Sequence, residues 1–204
     1  MKRALYHHTR SKAIASAPHP ADQDPMILDL HRLPILETQR LRLEPLTVAA
    51  AGDLYPLMGD PEVMAFWDVA EIDDLDLVVQ IVWAQVERME DGLDVHWAIR
   101  TLDGGAFLGV CDLSDIDRWH RRAEIGFMLG RDAWGHGYAQ EAMRNVIAFA
   151  GANGLRRLAA RTHLGNRRSD VLLQKLGFSE EGLLRGHILK DGERRDCRLF
   201  GLLL

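Results

Sequence analysis

The stretch Trp134-Gly135-His136-Gly137-Tyr138-Ala139 opens an apolar-periodic segment with two glycines one residue apart. A helix N-terminus leaves several backbone N–H groups unpartnered and carries roughly half a positive charge. Gly135 and Gly137 lack Cβ atoms and Ala139 has the next smallest side chain, so an anion can reach those N–H groups directly. This is phosphate-cradle chemistry, and the ten arginines from Arg118 to Arg168 reinforce it. A P-loop is excluded, because no Gly-Lys-Ser/Thr is present. A dinucleotide fold is excluded too: Gln140 stands where its third glycine belongs, Glu141 lies inside the helix, and three antiparallel strands precede the stretch.

The elements that position this loop follow from hydrophobic periodicity. Arg40–Leu46 alternates as a half-buried strand. Thr47 caps a helix running to about Met58, and Pro61 takes the first position of another. Ile72, Leu75, Val79, Val82, Val86 and Met89 recur at helical spacing, ended by Asp91-Gly92. Three strands follow, the first two turned at Leu102–Gly105. Beyond the glycines, Ala139, Ala142 or Met143, Val146 and Ala150 mark one helix face. Then come a strand, a short helix capped by Asn166 and ended by Gly177, and a closing hairpin turned at Asp191-Gly192. The order predicts an α/β (α+β) fold, with a twisted, mixed, mostly antiparallel sheet of about seven strands flanked by helices.

At 204 residues with 47% hydrophobic content the chain reads as one globular domain. Residues 35–204 form that domain, and residues 1–34 a Pro-, Ala-, His- and Ser-bearing extension that packs poorly. No apolar run is long enough to span a membrane, and the N-terminus lacks the apolar stretch of a secretory signal. Two cysteines make neither a disulfide framework nor a zinc site, and a cytoplasmic location is expected. The net charge of −5 conceals a partition. Asp53–Asp103 carries thirteen acids and two bases, whereas Arg118–Arg168 carries ten bases and three acids. Either two ligands meet two faces, or both are solvated helix surfaces.

The stretch resembles the pyrophosphate loop of the GNAT N-acetyltransferase superfamily, Q/R-x-x-G-x-G/A, with Trp134, Gly137 and Ala139 in the defined places. Trp for Gln/Arg is a departure, but W-G-x-G-Y-A is similar to the RimJ/RimL-like branch, which acetylates ribosomal-protein alanines and small molecules. The resemblance covers about Glu37–Leu204 through ETQRLRLEPL, DPEVMAFW, AEIGFML, NRRSDVLLQKLGF and RRDCRLFGLL, in that order. It implies a sheet splayed between its fourth and fifth strands with acetyl-CoA in the V. The backbone of Phe127, Met128 and Leu129 would pair with the pantetheine arm. The amides of Trp134, Gly135, His136, Gly137, Tyr138 and Ala139 would hold the pyrophosphate, and Asn166 would contact the pantetheine region. The basic half would then face the acidic cofactor and the acidic half the acceptor.

Acetyl transfer by direct attack of a primary amine needs a base, an oxyanion donor and protonation of the thiolate, with no covalent enzyme intermediate. Glu124 is the first candidate base, with pairing to Arg121 or Arg122 as its structural alternative. Ser169 stands at the N-x-x-S position, which resembles an acid of the ribosomal branch, but Ser is also comfortable at the third position of a helix. The superfamily's Tyr is replaced by Leu173. Phe66 and Trp67 fall where the branch forms an acceptor wall, or they pack. Tyr138 flanks the cofactor or fills core. Asp68, Glu71, Asp73, Asp74 and Asp76 attract a cationic acceptor or serve a helix N-terminus. His187 lines the acceptor site or is structural. His7, His8 and His19 read as solvated, so no metal is expected.

The acceptor is expected to be a protein N-terminal α-amine or a small cationic amine. An inactive acyl-CoA-binding sensor is the rival class. Nucleic-acid binding ranks below both because the chain is acidic overall. Exposed sheet edges leave a homodimer open.

Overall fold

Leu41 and Leu43 are fully buried while Arg42 and Glu44 are partly exposed, the alternation of a strand with one face on a core. The computed structural model describes residues 33–204, so the extension to residue 32 and its His7, His8 and His19 lie outside the described residues. One sheet of eight strands runs in the order β1-β2-β3-β4-β5-β6-β8-β7. They are β1 (Leu36–Glu37), β2 (Leu41–Pro45), β3 (Val95–Thr101), β4 (Phe107–Asp117), β5 (Arg122–Leu129), β6 (Arg157–His163), β7 (Ser179–Lys190) and β8 (Glu193–Leu203). The expectation of about seven strands missed β1, whose two residues are too short for any periodicity to show. Every neighbouring pair is antiparallel except β5 and β6.

The two sheet faces carry separate cores. Trp97, Ile99, Cys111, Leu113 and Ile125 pack with Ala142, Met143, Val146 and Ala150 of α4 (Tyr138–Ala152) and Leu173 of α5 (Arg167–Lys175). Ala98 and Met128 face the other way, against α1 (Ala51–Met58), α2 (Pro61–Met64) and α3 (Leu75–Glu90). The apolar face expected on α4 is the buried one. On α3 the buried line is Val78, Val82 and Met89, while Leu75 stays exposed in the first turn and Ile72 packs from the preceding loop. Thr47 caps only a single 3-10 turn, Val48–Ala50, without a side-chain hydrogen bond, and α1 begins after it.

β5 and β6 are parallel and part early. Their register holds for Arg122↔Arg157, Ala123↔Leu158 and Glu124↔Ala159 and no further. Beyond Glu124, β5 continues to Leu129 and β6 to His163 without pairing each other. These are the fourth and fifth of the strands foreseen in the sequence, and the fork between them is the expected splay.

Candidate active site

The glycine loop stands at the open end of the fork. Gly135 and Gly137 have φ of +79° and +77°, the left-handed region that glycine enters without steric cost. Gly137 is the N-cap of α4 and has no side chain to occupy the first-turn amides. The first bond into the helix runs from the Glu141 N–H to the Gly137 carbonyl at 3.1 Å, and the amides from Gly135 through Gln140 make no hydrogen bond among the described residues. Successive free N–H groups beside left-handed backbone form an anion-binding concavity.

Two arginines flank the loop, each over one of its aromatic rings. Arg40 lies 4.6 Å from the Tyr138 ring centroid, donates through Nη1 to the His136 carbonyl at 3.0 Å, and pairs with Glu141 at 2.6 Å. Glu141 also accepts from the Thr38 hydroxyl at 2.6 Å and the Arg40 N–H at 2.9 Å. Burial pushes the Glu141 carboxyl up, but these donors outweigh it and hold it below its ordinary value. On the other flank, the Arg168 guanidinium lies 4.7 Å from the Trp134 ring centroid. Arg168 is one of the ten arginines marked in the sequence, whereas Arg40 lies outside that stretch and reaches the loop from a distant element.

At the end of β5, the Gly130 N–H bonds the Leu108 carbonyl of β4 at 3.0 Å. The two-residue alternation of an antiparallel ladder then turns the N–H and C=O of Phe127 and Leu129 to the opposite edge, toward the fork. The Trp134 indole Nε1–H occupies the Leu129 carbonyl at 2.8 Å, which leaves Phe127 N–H, Phe127 C=O and Leu129 N–H on that open edge. Met128 bonds toward β4 instead, so its backbone is unavailable to an added strand. Asn166 caps α5, its Oδ1 accepting from the Ser169 N–H at 3.2 Å. Its Nδ2 and the Ser169 hydroxyl carry no hydrogen bond among the described residues. Leu173 is buried core.

Below the fork, Glu124 sits at the last paired position of β5, on the same face as Met128. Its partner is neither Arg121 nor Arg122 but Arg161 of β6, at 2.7 Å. Burial pulls the Arg161 guanidinium down, and Glu124 with Asp68 more than restores it, so it stays charged. Arg161 also meets the exposed His187 at Nε2, 2.9 Å away, where the β7 register shifts between Leu184 and Ile188. Asp68 bonds the buried His163 at 2.8 Å. Phe66 stands beside Gly165, at the entry to α5. Trp67 packs partly buried on the α1–α3 core. Asp68 and Phe66 therefore lie beside β6 and the entry to α5, whereas Asp74 caps α3, in line with the helix-terminus reading. Asp112 was not foreseen. It lies opposite Gly126, and burial raises its carboxyl above the ordinary range. Among the described residues no three His, Cys, Asp or Glu side chains are grouped to hold a metal ion.

A family model of the acetyltransferase (GNAT) domain matches residues 40–179. The uncharacterized N-acetyltransferase p20 of Bacillus licheniformis is 31% identical over 169 residues, 82% of this chain and 95% of that protein. The ribosomal protein uS5-alanine N-acetyltransferase of Escherichia coli is 31% identical over 118 residues, 57% of this chain and 61% of that one. The structure of spermidine N-acetyltransferase from Vibrio cholerae with CoA and spermine shares the fold, with a TM-score of 0.72 at 18% identity over 81% of this chain and 96% of that one. A sheet forked after Glu124, a glycine loop with free amides above it and the matched family model together make this chain a member of the GNAT acetyltransferase family, an acetyl-CoA-dependent N-acetyltransferase with RimJ/RimL-like relatives.

Proposed function

We propose that the chain acetylates a primary amine which enters from the α1–α3 face and meets the acetyl group beside Glu124. The observation that carries this reading is the fork itself: β5 and β6 part directly above Glu124, under a loop whose amides are free. The free amides and left-handed glycines fit a pyrophosphate, and the open edge of Phe127 and Leu129 fits an amide-bearing arm. Acetyl-CoA supplies the activated thioester. The amides of Gly135–Ala139 hold the phosphates, Trp134 positions the loop through Leu129, and Asn166 Nδ2 is free to donate to the arm.

Glu124 takes the proton from the amine, directly or through water, and Arg161 fixes the carboxylate in place. The Ser169 hydroxyl or water returns a proton to the thiolate. Phe66 and Trp67 wall the acceptor side. Asp68 and Glu124 flank Arg161, and Asp112 adds a further acid within electrostatic reach of Glu124, which favours a cationic acceptor. That class includes protein N-terminal α-amines and small polyamines, and the work is cytoplasmic, where both occur. The protein acts alone or as a homodimer and needs no nucleic acid.

Calorimetric titration with acetyl-CoA, using desulfo-CoA and NADH as controls, tests the cofactor assignment. Binding of acetyl-CoA but not NADH, abolished by Gly137→Glu, is expected. Undiminished affinity in Gly137→Glu would remove the loop from the site. A panel of spermidine and alanyl- and seryl-peptides then identifies the acceptor.

A further inference from the structure

Arg40 and Arg168 are matched in position and opposite in charge state of their surroundings. Both stack on aromatic side chains of the same loop, at 4.6 Å and 4.7 Å from the ring centroids. Arg40 is neutralised by Glu141 and tied to the His136 carbonyl, which makes it a structural latch. Arg168 is exposed and has no hydrogen bond or ion pair among the described residues. It projects from the first turn of α5, on the far side of the fork from the loop it touches. An exposed arginine ordinarily extends into water, and stacking on an indole restricts it to one place at a cost in side-chain entropy.

The platform beneath it is itself fixed. Trp134 donates to the Leu129 carbonyl at 2.8 Å and packs against both cores. The guanidinium is thus held over the residue that leads into the loop whose amides lack partners. A guanidinium held over an aromatic ring without a hydrogen-bond partner keeps its N–H donors for a ligand, and its fork of donors suits phosphate oxygens in pairs.

We infer that Arg168 is a phosphate clamp for the cofactor, pre-positioned by Trp134, which supplies from α5 the net positive charge that the Arg40–Glu141 pair does not. The inference rests on the loop assignment proposed above, and it assigns to this chain a specific cationic contact spanning the two halves of the fork. Phosphate oxygens of the pyrophosphate and of the 3′-phosphate share the required chemistry.

The test compares the affinities of wild type, Arg168→Ala and Trp134→Leu for acetyl-CoA, acetyl-dephospho-CoA and acetyl-pantetheine. Arg168→Ala is expected to weaken acetyl-CoA about 10- to 100-fold, as for loss of one charge-assisted contact, and to leave acetyl-pantetheine unchanged. Its acetyl-CoA affinity should also fall less steeply with salt. Retention of the deficit with acetyl-dephospho-CoA places the contact on the pyrophosphate, and its loss places it on the 3′-phosphate. Trp134→Leu should reproduce part of the effect, with an unaltered circular dichroism spectrum. Wild-type affinity in Arg168→Ala would overturn the clamp while leaving the loop assignment intact. Equal weakening of acetyl-CoA and acetyl-pantetheine would likewise overturn it in favour of a packing role. Failure of wild type to bind acetyl-CoA would instead remove the loop assignment.

Discussion

Glu124 Oε1 lies 2.7 Å from Arg161 Nε, across the last rung that joins β5 to β6. The pair closes the base of the fork and keeps the carboxylate where an incoming amine would meet it. Glu124→Gln preserves the shape and some of the hydrogen bonding but cannot accept a proton. Acetyl-CoA affinity should stay within about threefold of wild type, while kcat falls about 10²- to 10⁴-fold. Steady-state kinetics beside calorimetry separates the two quantities. A variant with near-wild-type kcat would assign the base elsewhere, and Asp112 would be next to examine.

A Cβ added to Gly126 would stand 2.7 Å from Asp112 Oδ1, closer than such contacts occur. Gly126→Ala must therefore displace a short, partly buried side chain. Denaturant titration should show a loss of about 1–3 kcal/mol, the usual range for overpacking. Adding Asp112→Ala to the same chain should recover most of it. If the double variant is no more stable than Gly126→Ala, the crowding lies elsewhere.

Asp94 is buried at the foot of β3, where Arg88 grips it through two hydrogen bonds and the Asp115 N–H donates at 3.0 Å. Burial pushes its carboxyl up, yet the His96 and Arg88 interactions prevail and hold it well below the ordinary carboxylate range. A carboxyl with a depressed folded-state pKa stabilises the fold above its unfolded value of about 3.9. That contribution is lost as pH falls below this value. Asp94→Asn should lower stability by about 1–3 kcal/mol at pH 7, discounted because Arg88 is half exposed. The deficit should shrink as the pH drops below about 4. Thermal melts of both proteins from pH 7 to pH 3 check the sign, and a deficit that widens in acid would contradict it.

Glu141 latches the β1–β2 hairpin to the glycine loop through Thr38 and Arg40. Glu141→Ala removes the carboxylate that the Thr38 hydroxyl and the Arg40 guanidinium share, leaving them only the Leu41 and His136 carbonyls. A stability loss of about 1–3 kcal/mol is expected, together with faster amide exchange at Arg40, whose N–H loses its carboxylate acceptor, and at Leu41 in the same turn. Hydrogen-exchange mass spectrometry reads the second effect, and unchanged protection over that turn would show that it is rigid without the latch.

Much of the site was legible along the chain because its signals are local. Gly135, Gly137 and Ala139 declare a bare helix N-terminus within six residues, and both glycines adopt the left-handed backbone that only their lack of a Cβ makes easy. Asn166 declares a cap for the helix beginning one residue later, and its Oδ1 accepts the Ser169 N–H. The face of α4 and the turn at Asp191-Gly192 follow from periodicity and positive φ in the same way.

Tertiary structure alone decided which side chains meet. Glu124 had two arginines close by in sequence, yet it pairs with Arg161, 37 residues away, because the parallel register of β5 and β6 sets Glu124 opposite Ala159, with Arg161 two residues on and on the same face. Arg40 reaches Glu141 over 101 residues, and Arg168 finds Trp134 only because α5 starts across the fork from α4. Asp112 stands over Gly126 through the antiparallel register of β4 and β5. Periodicity within a segment records which face is buried. It carries no information about strand register or the point where two strands part, and those set the distances between charges.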